Sequence, residues 1–367
     1  MIKIKSLILS LLVFSSTLVS VNQSFIYVVL AFLGMVLWFI SMRKNGVKRE
    51  DILSVLFLLT SSIIYYVGKE YAIDDNSKSI NNIIPYTFFI IATVNFSKSL
   101  NNSVIKYILY FILLEIVVGI VQYLLGTPYF IKPNSVGVQE FGESEYLYYN
   151  KVYGLSAVTS IFALKIFTGF LLVYHLKYNK AMNYFFYGLL LLGLIITFNR
   201  TAIVSVIVFG FIALLMRLKT GGSKIKFLTI LMSVVLLVLA YNNYAFIENQ
   251  FFRGKGVDLS GRDLVFPYYI QFIVEHPFLG NYFTKHWAEL SIDRVYHAHN
   301  SYLQTVANMG ILFGFATIVY FILKVNKNNY IYIVPILVYS TFQYGILWGV
   351  SFLDIVFFYF LFKKNKK

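Results

Sequence analysis

Three side chains in the second half of the sequence have the type and setting for chemistry: Arg200, Arg262 and His299. A guanidinium grips a phosphate through two parallel hydrogen bonds and keeps its charge at any physiological pH. Arg200 interrupts an apolar stretch, in Phe198-Asn199-Arg200-Thr201, at the tip of a predicted helical hairpin. There it either snorkels to a lipid headgroup or forms a site for a phosphate held at the level of the headgroups. Arg262 opens a predicted helix. Ser260 has the type of an N-cap, Asp263 follows three residues later, and Phe266, Ile270, Ile273 and Val274 recur at helical spacing before His276-Pro277 ends the pattern. Pro267 falls in the first turns, where proline does least harm. We read this segment as an amphipathic helix lying on the outer leaflet. His299 stands with Asn300 at the mouth of an apolar helix that begins about Ser301. The positive end of a helix dipole disfavours imidazolium, so a neutral ring there is placed to accept a proton. The plainer alternative is a histidine that caps or anchors that helix.

Other polar residues have weaker patterns. Glu275, Asp293 and His297 are further candidates near the same segment. His297-x-His299 with Glu275, His276 or His286 lacks the ligand frame of a metal site, so no metal is expected. No G-x-S-x-G, no nucleotide-binding loop and no cysteine nucleophile is present, and no cofactor is expected. Glu115 and Lys165 fall near the middle of consecutive apolar runs. Charges at that depth are costly and usually paired, which predicts a structural ion pair, with a polar transport pathway as the rival. Asp354 is open to both readings.

The elements that must position these residues are membrane spans. The chain has 367 residues, of which 59% are hydrophobic and 13% charged, with no cysteine. Soluble domains are about 45–50% apolar and about 25% charged, so a soluble enzyme, a disordered chain and a disulfide scaffold are excluded. Apolar runs of span length occur at 4–21, 24–42, 52–67, 81–96, 105–125, 154–176, 184–198, 201–216, 225–241, 301–323, 330–347 and 349–362, which predicts about 12 transmembrane helices. The first run resembles a signal peptide, but it has no clean cleavage site and a second run follows directly, so a retained helix is expected. The fold class is all-α and polytopic, with regions 1–183, 184–323 and 324–367 and a long extracytoplasmic loop over 242–300. That loop holds His276, His286, His297 and His299. Loops of this length inside compact membrane proteins are usually functional.

Charge sets the orientation. With both termini in the cytoplasm, 20 of the 31 basic residues fall on the inner side and 10 outside. Twelve of the 16 acidic residues fall outside. The formal net charge of +15 is thus a topology signal held by anionic headgroups and the membrane potential, and nucleic-acid binding is rejected. Chemistry is expected on the outer face.

Three segments, in order, resemble the O-antigen polymerase and O-antigen ligase family. FNRTA at Phe198–Ala202 is similar to the family's arginine signature, although Asn199 stands where serine is usual. GRDLVFPYYIQFIVEHPFLGNY at Gly261–Tyr282 is similar to its loop segment, with Phe266 or a neighbour in place of tryptophan. HNSYLQTVANMGILFG at His299–Gly314 is similar to its histidine segment. The resemblance covers roughly Tyr184 to Leu323; the N-terminal half matches only in being hydrophobic.

The resemblance implies a helical membrane glycosyltransferase of GT-C-like architecture in the bacterial cytoplasmic (inner) membrane. It would move a glycan from undecaprenyl pyrophosphate to a sugar hydroxyl on the outer face, without nucleotide-sugar or metal. A polymerase of O-antigen or capsule repeat units passes the chain to the next lipid-linked unit, and a ligase passes it to lipid A–core. Arg200 and Arg262 would hold the pyrophosphate and His299 would be the base. A flippase and a chain-length regulator are implied as further partners, besides membrane lipids. A flippase or transporter is the reading from a different class, and the absence of repeat symmetry argues against it.

Overall fold

The computed structural model describes residues 2–19, 21–72, 84–133, 150–220, 238, 241–252, 262–291 and 294–363. Most of the 225–241 run, Ser260, Gly261 and Asp293 lie outside these residues. The described chain forms α1 (Ile2–Ser15), α2 (Gln23–Asn45), α3 (Arg49–Gly68), α4 (Tyr86–Ser99), α5 (Asn102–Leu124), α6 (Thr159–Leu176), α7 (Lys180–Thr197), α8 (Arg200–Thr220) and α9 (Tyr244–Phe252). These are followed by α10 (Arg262–Glu275), the antiparallel pair β1 (Ala288–Ser291) and β2 (Arg294–Tyr296), α11 (Ser301–Leu323), α12 (Tyr330–Phe342) and α13 (Phe352–Phe362). The all-α polytopic class stands, with one short hairpin inside the long loop.

Helix ends follow the charges. Arg43 and Lys44 close α2, and Arg217 and Lys219 close α8, where the helix dipole favours cations. Glu50 and Asp51 sit in the first turn of α3, where the dipole favours anions.

Seven helices among the described residues are long and apolar enough to cross a bilayer: α2, α3 with the turn after it, α5, α6, α7, α8 and α11. Twelve continuous spans are not confirmed. The run at 4–21 forms only the 14-residue α1. The runs at 330–347 and 349–362 form helices of 13 and 11 residues, about 20 and 16 Å long against a core of about 30 Å. Helix α13 is buried from Phe352 to Leu361. A helix apolar all round that is also buried belongs to a protein core. Between α12 and α13 the chain leaves helical geometry over 343–351.

Two compact units divide the chain. One comprises residues 1–16, 21–107 and 260–367, and the other residues 17–20 and 108–259. In the second unit α6 packs on α7 and α8. Its interior holds the predicted ion pair: Lys165 Nζ lies 2.8 Å from Glu115 Oε2, with both side chains fully buried. The other carboxylate oxygen accepts from Leu155 N (3.0 Å) and Ser156 Oγ (2.8 Å). Every bond observed is structural and ties the 154–156 turn to the helices. Lys165→Met is therefore expected to cost about 3–5 kcal/mol by leaving a buried carboxylate unpaired. Thermal unfolding in detergent checks this, and adding Glu115→Leu should return part of the loss.

In the first unit, α2 packs along α4, α4 against α13, and α10 on α11. Helix α11 is broken at Gly310 (φ 78°, ψ 169°). A break frees carbonyls that a bilayer cannot hydrate. Ala307 O instead accepts from Asn281 N (2.8 Å), Asn308 O from Phe283 N (2.9 Å), and Ile311 N donates to Pro277 O (2.7 Å). The backbones meet so closely that a Cβ on Gly310 would lie 2.1 Å from Phe278 O, and one on Gly280 2.3 Å from Ala307 O. Both positions have positive φ. Glycine at both is thus a steric requirement. It explains why the Pro277–Tyr282 and His299–Gly314 segments carry their glycines.

Candidate functional site

The first unit brings Arg262 and His299 together. Helix α10 starts at Arg262 and buries Val265, Tyr269 and Phe272 against α11 and the β-pair. This face is distinct from the Phe266, Ile270, Ile273 and Val274 stripe of the amphipathic reading, of which Ile273 packs partly against the same cluster. Ile270 and Val274 are exposed, which leaves that second apolar face for lipid. The Arg262 Nη2 atom donates to Phe342 O (2.7 Å), the last carbonyl of α12. A helix C-terminus carries partial negative charge, so this contact fixes the guanidinium both sterically and electrostatically.

His299 lies one residue before the helix cap. Asn300 is the N-cap of α11, its side chain accepting from Tyr302 N and Leu303 N, so the capping alternative for His299 is replaced by Asn300. His299 itself has φ +50°. Its backbone N–H donates to His297 Nδ1 (3.1 Å), and the two imidazole centroids are 4.1 Å apart. Since His297 Nδ1 accepts, the neutral His297 ring carries its proton on Nε2. Burial, then the nearby Arg262 charge, holds the His299 pKa below the usual histidine value, against an opposing hydrogen bond with Gln343. Its Nδ1 makes no hydrogen bond among the described residues. The ring is thus neutral at neutral pH, though burial rather than the helix dipole is the main cause.

Arg200 belongs to the second unit. Phe198 closes α7 in a left-handed conformation, and Asn199 caps α8 by accepting from Ala202 N (2.9 Å). Asparagine and serine are equivalent N-caps, so the Asn199 departure leaves the hairpin tip intact. Arg200 is the first residue of α8 and is half-buried.

Residues 185–321 match the family model for O-antigen ligase. The chain carries an O-antigen ligase family domain. No curated protein matches the chain. The domain includes all three predicted residues, and its members are membrane glycosyltransferase-like enzymes. It draws on both compact units, since the boundary between them falls at residues 259 and 260.

Around the domain's histidines the structure adds residues that sequence reasoning missed. Trp287, Tyr344 and Trp348 surround the His297 ring, with centroids 6.1, 5.7 and 5.7 Å away. Lys285 is buried, with Nζ 4.0 Å over the Trp348 ring. Burial lowers its pKa to about 7, while Asp354 opposes the shift. Asp354 accepts from Leu347 N, Trp348 N, Gly349 N and Ser351 Oγ, which settles it as the organiser of the 343–351 loop. Ser301 Oγ fastens the same loop by accepting from Gly345 N and Ile346 N. The available signals were the Gly345, Gly349 and Ser351 punctuation between apolar runs and the Lys285-His286-Trp287 cluster.

Other candidates separate from this group. Glu275 is exposed at the far end of α10 and accepts from Gln271 Nε2, about 20 Å along the helix from Arg262. His276 stacks on Phe272, and His286 is buried among Tyr268, Tyr269 and Phe272. Gln304 and Asn308 on α11 hold the loop in place through Ala298 N, His286 O and His286 N. No group of three metal-ligating side chains occurs among the described residues.

Burial also makes the loop acid-sensitive. His297 is pushed down to about 3, first by burial, then by His299, Lys285 and Arg262. The unfolded chain binds its proton near pH 6.5 and the folded chain does not, so stability falls as pH drops from about 6.5 toward 3. Thermal unfolding of the purified chain between pH 7 and 4 should show this slope, and His297→Gln should flatten it.

Proposed function

We propose that this protein is a polymerase of O-antigen or capsular repeat units, working at the outer face of the bacterial cytoplasmic membrane. The acceptor hydroxyl attacks the anomeric carbon of the lipid-linked glycan. The new C–O bond forms as the bond to pyrophosphate breaks, and the hydroxyl proton passes to neutral His299. The leaving lipid pyrophosphate gains charge, which Arg200 and Arg262 stabilise. The donor already carries the energy in its phosphate link, so no nucleotide site is required.

One observation carries the reading: a neutral imidazole with an unfilled ring nitrogen stands beside a guanidinium at the end of a loop helix. A groove of 400 Å³ supports a lipid-linked donor. It is lined wholly by apolar and aromatic side chains of α10 and α11, Ile270, Val274, Leu303 and Phe315 among them. Its rings and aliphatic chains suit a polyprenyl tail. Around His297, the part-exposed rings of Trp287 and Trp348 suit sugar faces.

A ligase that moves finished polymer to lipid A–core is the second reading, favoured by the description of the matched family model. A deletion strain separates the two. Loss of a polymerase leaves single repeat units on lipid A–core, and loss of a ligase leaves polymer stranded on the carrier. Purified protein that elongates lipid-linked repeats without an ion gradient excludes a transporter, and failure to extend any lipid-linked glycan overturns the proposal.

A further inference from the structure

The first unit contains a second amphipathic site at the opposite end from His299. A cleft of 1320 Å³ opens among the start of α3, the end of α4, the start of α5 and the end of α13. It adjoins an apolar groove of 410 Å³, with Glu50, Asn95, Lys98 and Phe362 common to both. The groove is lined by Leu53, Phe57, Val94, Phe313, Ala316 and Phe321. Its volume lies within the range of about 300–1,000 Å³ for ligand pockets. Along α3 the lining runs from Glu50 to Phe57, about 10 Å down the helix. Polar and apolar compartments thus lie in series.

Charge identifies the headgroup. Lys48, Lys98, Lys324 and Lys363 line the cleft against Glu50 and Asp51, leaving two positive charges in excess. Asp51 is engaged by Trp38 Nε1 (2.8 Å) and Lys48 N (2.9 Å). Glu50 lies 2.9 Å from Lys324 Nζ and 3.8 Å from Lys98 Nζ. Each ammonium has three donors, so these contacts leave capacity on the lysines. Ser97 lines the cleft at 1% exposure, and its Oγ makes no hydrogen bond among the described residues. A buried hydroxyl of this kind calls for a partner that the described residues do not supply.

We propose that this site holds an anionic phospholipid of the inner leaflet, its phosphodiester among Lys98, Lys324 and Ser97 and one acyl chain between α3, α4 and α11. A soluble anion would fill the cleft and leave the groove empty. A neutral lipid would fill the groove and leave the surplus lysine charge unanswered. The inner-leaflet assignment rests on the charge bias that places these lysines on the cytoplasmic side. It is independent of the transfer chemistry.

The test is native mass spectrometry of the delipidated full-length chain with dioleoyl phosphatidylglycerol or dioleoyl phosphatidylcholine, with inorganic phosphate as competitor. One phosphatidylglycerol per chain should be retained in preference to phosphatidylcholine and should resist phosphate. Lys98→Gln with Lys324→Gln should weaken retention by about fivefold per lysine. Ala316→Trp, which fills the groove, should abolish it. Equal retention of the two lipids, displacement by inorganic phosphate, or unchanged binding in the folded double variant overturns the proposal. The wild-type comparison of the two lipids decides even if a variant does not fold.

Discussion

Alanine at His299 is expected to lower glycan transfer by about 10²- to 10⁴-fold, the contribution of a positioned general base. The protein should still reach the membrane, because the ring neither caps α11 nor holds His286 and Ala298, and its loss gives up one hydrogen bond with Gln343. Asn300 performs the first task, and Gln304 and Asn308 the second. Under the proposed chemistry the loss falls on kcat, since the proton moves only as the new bond forms. Chain-length distribution on gels and turnover of a lipid-linked repeat by purified protein measure it. A His299→Ala variant with normal chains and near-normal turnover would remove His299 from the chemistry. A loss of His297 is a different experiment, because its Nδ1 receives the His299 backbone N–H and so sets where the base stands.

Removing Arg262 should act in two ways at once. As a donor to the leaving pyrophosphate it should be worth about 10²- to 10³-fold in kcat, in line with other fixed oxyanion donors. Arg262→Lys should recover little, because an ammonium cannot reproduce the planar fork that pairs with a phosphate and reaches Phe342 O. The second effect is on pH. Arg262 helps to hold the His299 pKa below its usual value, so the neutral base persists to lower pH. Arg262→Gln removes that charge, the pKa rises, and the acidic limb of the residual activity moves to higher pH. A pH–rate profile whose acidic limb stays in place would show that His299 is not the group that limits the rate in acid. Arg200→Ala should likewise shorten the chains, measured on the same gels.

Much of this was legible before any fold was known, for reasons that are local. Hydrophobic runs declare a membrane protein because a bilayer tolerates little else. The paired burial of Glu115 and Lys165 followed from the cost of an isolated charge. Helix α10 runs over Arg262–Glu275, the segment whose helical spacing and His276-Pro277 stop predicted it. The reading failed where an apolar run was asked to report its own continuity. The 301–323 run is broken at Gly310, and the runs at 330–347 and 349–362 give up their facing ends to a loop over 343–351. In both places the neighbours supply the missing hydrogen bonds, through Asn281 N and Phe283 N in one case and Asp354 and Ser301 in the other. Hydropathy cannot detect a break whose polar groups are satisfied by residues far away in the chain.

The candidate site divides along the same line. Residue type and setting offered Arg262 and His299 as candidates, and the resemblance to the O-antigen polymerase and ligase family supplied their implied roles. Only tertiary packing could bring Trp287, Lys285, Tyr344 and Trp348 around His297, since they come from two loops joined by no local pattern. Packing also disclosed a second face of α10, Val265, Tyr269 and Phe272, which is buried and where Tyr269 Oη donates to His286 O and Tyr296 O. A side chain's chemistry is carried by its own atoms, so sequence discloses it. The burial that keeps His297 and His299 uncharged is a property of everything packed around them, so only the folded chain supplies it.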